Sequence, residues 1–243
     1  LLILFSTYLS LYLIEIFLFY NLKNTKYILD TPKYFDKRSL KKFYIDNNKK
    51  VYPELSLNSE DIQKYWFKYD NQNYYPLSLI SNSIFFAENE SGEYSKFKTD
   101  HLGFANNKKD FLRKNKVILI GDSFTRGCCV EKGFKFFFDQ LDFPAYNIGI
   151  SGNGPISNYA AYKEYGNKIT SEYAFYFHFE GNDLTDLKKE LGMNFINNYL
   201  DKDFKIGLEK FNEDKDKKLI NIINQLFLTS NSPDYITKKN PFK

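Results

Sequence analysis

"KVILIGDSFTRG", residues 116–127, is the stretch on which the reading of this chain turns. Val117–Ile120 is a continuous apolar run, the pattern of a strand covered on both faces, and it stops abruptly on Gly121-Asp122-Ser123. A serine placed where a strand gives way to a helix presents its hydroxyl at the edge of a sheet. The glycine before it lets neighbouring backbone approach without a Cβ in the way.

The same pattern recurs downstream. GFKFFFDQL reads as a short helix, Ala145–Ile150 as a second strand, Ile156–Ile169 as a helix and Tyr173–Phe179 as a third strand. Such alternation predicts an α/β domain built on a three-layer, doubly wound parallel sheet. Right-handed crossovers then bring the three strand C-termini to one edge, where open α/β sheets bind ligands. Beyond Asp183 the chain reads as helical and charged, with Leu219, Ile220, Ile222, Ile223, Leu226 and Phe227 on the buried face of one amphipathic helix. No further strand of comparable strength follows, so the sheet is expected to be incomplete at the C-terminus.

Upstream, LLILFSTYLSLYLIEIFLFY (residues 1–20) is apolar enough and long enough to cross a bilayer at about 1.5 Å per residue. It is read as an uncleaved, single-pass anchor, because no small-residue cleavage site follows it. Residues 21–75 form a linker and lead-in region punctuated by prolines, and 76–243 the α/β domain. Within the latter, Ser83–Phe86 and Tyr94–Phe97 read as a hairpin around Glu-Asn-Glu-Ser-Gly.

Composition narrows the partners. The 34 basic and 30 acidic residues leave a net charge of +4, with lysines scattered rather than striped, which argues against nucleic acid. Cys128 and Cys129 are adjacent, a spacing that rarely closes a disulfide and gives too few ligands for structural zinc. No metal or organic cofactor is implied. The 25 Phe and 20 Tyr carry no functional weight by themselves.

Each of the three strands empties into a polar turn: Gly121-Asp122-Ser123, then Gly149-Ile150-Ser151-Gly152-Asn153-Gly154, then Glu180-Gly181-Asn182-Asp183. Together they supply the parts of an acyl-transfer site. Ser123 Oγ is the candidate nucleophile, and the Ser123 and Gly152 N–H groups with the Asn182 amide are candidate donors to a developing oxyanion. Asp122 is expected to brace its turn through backbone N–H groups, Asn153 and Pro155 to start the next helix, and Asp183 to cap the one after. Phosphate-loop and dinucleotide fingerprints are absent, as is the G-x-S-x-G elbow.

At this point a resemblance can be stated. GDSFTRG (121–127) resembles the first block of the SGNH (GDSL-type) hydrolases, the turn within 147–155 the second, and Gly181-Asn182-Asp183 within 180–183 the third. Asp100-His101-Leu102-Gly103-Phe104 is similar to the region preceding those blocks in membrane-anchored members tied to surface-polysaccharide genes. The resemblance implies a flavodoxin-like sheet, Ser123 as nucleophile and Gly152 and Asn182 in the oxyanion hole, with Gly121, Asp122, Asn153, Gly181 and Asp183 in support. It also implies a serine esterase or O-acyltransferase acting on acyl esters such as those of cell-surface glycans. It favours an extracytoplasmic domain, whereas Lys23, Lys26, Lys33, Lys37 and Arg38 after the span argue for the cytoplasm.

One part is missing from the sequence. The family's base comes from a late Asp-x-x-His block, and no histidine follows His178. His178 is expected in mid-strand, about 13 Å behind the catalytic edge, as a packed ring. Either the chain is truncated at both ends, or it is a relative that binds without turnover, a membrane-tethered glycan-binding module. As written it is expected to be inactive.

Overall fold

The computed structural model describes residues 6, 8–17, 36–57, 67–69, 72–87, 89 and 92–228. The chain divides into two compact units, Leu1–Tyr34 and Phe35–Lys243. In the first, residues 6 and 8–17 are helical; the remainder of the expected span 1–20 lies outside the described residues. Among the described residues, no helix is long and apolar enough to cross a membrane.

The second unit is mixed α/β. In chain order it contains α1 (Leu40–Asp46), β1 (Tyr52–Pro53), β2 (Phe67–Tyr69), β3 (Gln72–Tyr74), β4 (Ile84–Phe86), β5 (Lys96–Lys98) and α2 (Lys108–Leu112). There follow β6 (Val117–Ile120), α3 (Ser123–Arg126), α4 (Phe134–Gln140), β7 (Ala145–Asn147), α5 (Pro155–Tyr165), β8 (Tyr173–Tyr176), α6 (Asp183–Leu191), α7 (Asn194–Asn197) and α8 (Asn212–Leu228).

The expected parallel sheet is present, in the order β7-β6-β8. Both pairings with β6 are parallel, Val117 standing opposite Ala145 on one side and Tyr173 on the other. The side chains of β6 alternate between two cores, as a doubly covered strand requires. Ile118 and Ile120 join Tyr146, Ile156, Ala160 and Ala161 in the large cluster, while Val117 and Leu119 join Ala145 and Phe138 in a small one. The third strand differs from this pattern: Tyr173, Phe175 and Tyr176 are 54 %, 40 % and 46 % exposed.

The second and third strands are shorter than their apolar runs suggest, because Ile148 and Phe177 carry the chain on into the turns. The hairpin is present as an antiparallel β4–β5 pair with Phe85 opposite Phe97. Residues 21–75 are more than a linker where they are described. Phe43, Tyr44, Leu57, Phe67 and Tyr74 are buried in the main core, and β1 pairs in parallel with β4.

Buried polar groups stitch the lead-in to the sheet. Asp100 Oδ1 accepts from the N–H groups of Leu102, Gly103 and Phe104, and its Oδ2 from Tyr146 and Asn106. Lys215 Nζ on α8 donates to Ser78 Oγ and to the Leu79 carbonyl, both at 2.8 Å. Glu164, fully buried on α5, gathers the N–H groups of Ile206, Gly207 and Leu208 and the hydroxyl of Tyr199.

Candidate active site

Ser123 opens α3 directly after β6, half-buried. Asp122 is the N-cap of that helix, its Oδ1 accepting from Phe124 N–H at 2.9 Å, so it braces the turn as its position predicts. Gly121 is there for space: a Cβ would lie 2.1 Å from Thr125 Oγ1 and 2.9 Å from the Phe177 carbonyl. Only a glycine lets the end of β6 pass between its own helix and β8. The rings of Phe124 and Phe179 stack at 4.1 Å, so the residue after Ser123 touches the segment leading into the third turn.

The second turn follows β7 and enters α5. Gly152 has φ +78°, and a Cβ there would meet Ser56 Oγ at 2.1 Å, so the lead-in packs on this loop. Pro155 is the first residue of α5, after the N-cap Gly154. The helix start has no side-chain cap of its own. Instead Glu190, buried on α6, accepts from the N–H groups of Gly154, Ile156 and Ser157 at 2.9, 2.8 and 3.2 Å.

A second buried clamp reaches the loop from the other direction. Arg126 Nε on α3 lies 2.7 Å from Glu54 Oε1 and donates to Ser151 Oγ at 3.2 Å. Burial pushes the Glu54 carboxyl up, against the opposing pull of Arg126 and of hydrogen bonds from Ser151.

The third turn leads into α6. Asn182 is its N-cap residue, and its Nδ2 donates to Asp186 Oδ2 at 3.0 Å. Asp183 is fully buried, and its Oδ2 accepts from Phe179 N–H at 2.9 Å. The same oxygen lies 2.9 Å from His178 Nδ1. His178 is therefore not the packed mid-strand ring expected from the sequence. β8 ends at Tyr176, and the histidine side chain is 40 % exposed beside a buried carboxylate. His101 packs edge-on against Phe111, with ring centres 4.3 Å apart.

The three turns thus share one end of the sheet, and they share an electrostatic property. Asp122 Oδ2, both side-chain polar atoms of Asn153, Asn182 Oδ1 and Asp183 Oδ1 are buried without a hydrogen-bond partner. Burial pushes the Asp122 carboxyl up and the nearby Asp183 charge adds to this, while the Phe124 N–H and the Asn182 amide pull it back. Four of these five atoms are acceptor oxygens, which a hydroxyl or N–H donor would satisfy.

Of the sequence candidates, Asp122, Asn182 and Asp183 are linked, Asp122 to the Asn182 amide and to the Asp183 charge, while Ser123 adjoins them only through its chain neighbour Asp122. Gly181 is held instead against Phe179, whose ring a Cβ would meet at 2.5 Å. Sequence reasoning did not single out Glu54 or Glu190, whose partners lie 72 and 33 to 36 positions away, the first being the difference between residues 126 and 54. Cys128 and Cys129 form no disulfide. Among the described residues no group of three or more His, Cys, Asp or Glu is placed to hold a metal ion. No family model, curated protein or solved structure matches the chain.

Proposed function

We propose that this chain is the nucleophile-bearing part of a membrane-anchored SGNH-type serine esterase or O-acyltransferase, acting on acyl esters of cell-surface glycans from the extracytoplasmic face. In this reading the parallel sheet is the first half of a doubly wound, flavodoxin-like layer, and residues 1–20 are the anchor. Ser123 Oγ attacks the ester carbonyl, and the Ser123 and Gly152 N–H groups with the Asn182 amide receive the charge on its oxygen. Collapse expels the alcohol and leaves an acyl-serine, which water or a sugar hydroxyl then discharges.

The observation that carries this reading is the half-buried Ser123 at the start of α3, at the sheet end shared by the turns of Gly152 and Asn182. A fluorophosphonate tests it. In the complete protein, base included, Ser123 should displace fluoride and become labelled, and Ser123→Ala should not; equal labelling of both proteins would sink the assignment.

A second reading, a glycan-binding module without turnover, is favoured by the histidines. The sequence has two, and neither is hydrogen-bonded to Ser123; one pairs with Asp183 and the other packs on Phe111. A serine without a base is a weak nucleophile, so the 243-residue chain should turn over p-nitrophenyl acetate barely faster than buffer. Robust turnover would exclude the binding-only reading.

A further inference from the structure

We infer that the cleft between the β4–β5 hairpin and the start of α4 is an oxyanion-binding site, taking a ligand that carries a phosphate or carboxylate group. The cleft has a volume of about 520 Å³, and its walls include Lys96, Lys98, Asn106, Arg126, Lys135 and Phe136. That is more room than a free ion needs and falls within the range of small-molecule sites.

Arg126 is the central observation. It is 8 % exposed, and its Nη2 is buried with no hydrogen-bond partner. Its position is fixed on other sides: Nε is engaged by Glu54 and Ser151, and the guanidinium lies 4.3 Å over the ring of Phe97. A guanidinium so held loses little freedom on accepting a ligand, and its planar fork suits the paired oxygens of a carboxylate or phosphate. A buried charged donor without an acceptor is costly, and an oxyanion seated against the guanidinium removes that cost.

Glu54 offsets Arg126 on its Nε side, and Lys135 is matched by Asp110 at 3.1 Å and Asp139 at 2.6 Å. Lys96 Nζ rests on a neutral partner, Asn47 Oδ1, at 3.3 Å. Among the described residues neither Lys96 nor Lys98 has a carboxylate partner, and no carboxylate side chain lines the cleft. The two lysines of β5 therefore give the mouth a positive field that draws anions towards Arg126.

The proposal stands apart from Ser123 and is tested apart from it. Titration calorimetry on the 243-residue chain at low salt would use glucose 6-phosphate, a galacturonate trimer and glucose. At least one of the two anionic ligands should bind with Kd below about 1 mM and glucose should not. Which of the two binds identifies phosphate or carboxylate as the group read. The exposed double variant Lys96→Gln/Lys98→Gln should weaken binding about tenfold, as should raising the salt. Arg126→Lys, which keeps charge but loses the fork, should weaken it further; if that variant fails to fold, the lysine pair still decides. Ser123→Ala should bind as the parent does, whatever the fate of the acyl-transfer reading. Failure of both anions to bind, equal binding of glucose, or parental affinity in the lysine variant would overturn the inference.

Discussion

Two sets of buried polar residues lie within this one domain, and they are treated oppositely. Asp100, Glu164, Glu190 and Lys215 are each surrounded by partners, most of them backbone groups. At the strand ends, Asp122, Asn153, Asn182 and Asp183 each retain at least one polar atom with none. Both sets paid the cost of leaving water, but only the first recovered it inside the fold. The contrast separates polar groups satisfied within the fold from polar groups left without a partner.

The sharpest way to break the comparison is at its satisfied end. Glu190→Ala strips three N–H groups of α5 of their acceptor in a site that water does not reach. It should cost about 3–5 kcal/mol, read as a lower urea midpoint. An unchanged midpoint would remove Glu190 from the first set.

Lys215 offers a test by pH. Burial pulls its ammonium down to about 8 from the ordinary 10.5. Between those values the unfolded chain holds the proton and the folded chain has released it, so stability should rise with pH across that window. The gain is at most about 3 kcal/mol by the usual conversion. Above pH 10 the sign reverses through Tyr74 and Tyr146, whose phenols burial raises: they ionise in the unfolded chain first, and stability is lost. Chemical denaturation at pH 7, 8, 9 and 10 should show the rise in the parent and a flat profile in Lys215→Met.

Substitutions at the unsatisfied end should matter much less to folding. Asn153→Leu removes two unpartnered atoms and should change stability by less than about 1 kcal/mol, or raise it, while slowing fluorophosphonate labelling of Ser123. A loss as large as that of Glu190→Ala would show that Asn153 belongs with the structural set. Ser123→Ala itself should stay within about 0.5 kcal/mol of the parent.

What the sequence made legible was local. The apolar run of β6, the glycine-flanked turn after it, Pro155 at the start of α5 and the apolar face of α8 all depend on neighbours within a few positions. The parts it hid are those whose meaning comes from far along the chain. Tyr52–Pro53 is too short to announce a strand and becomes one only beside Phe85 and Phe86. Glu164 and Glu190 read as ordinary helix-surface charges, since the amides they accept from lie 33 to 44 residues away. His178 was misplaced because the apolar alternation runs past Tyr176 after the ladder with β6 has ended.

The grip of Glu190 on the start of α5 also bears on the order of events as the chain leaves the ribosome. The loop carrying Gly152 emerges with its helix start open, and the carboxylate that closes it arrives 36 residues after Gly154. Until α6 docks, the N–H groups of Gly154, Ile156 and Ser157 lack the carboxylate that accepts from them. The start of α5 is thus completed only once the third strand and the helix after it are in place.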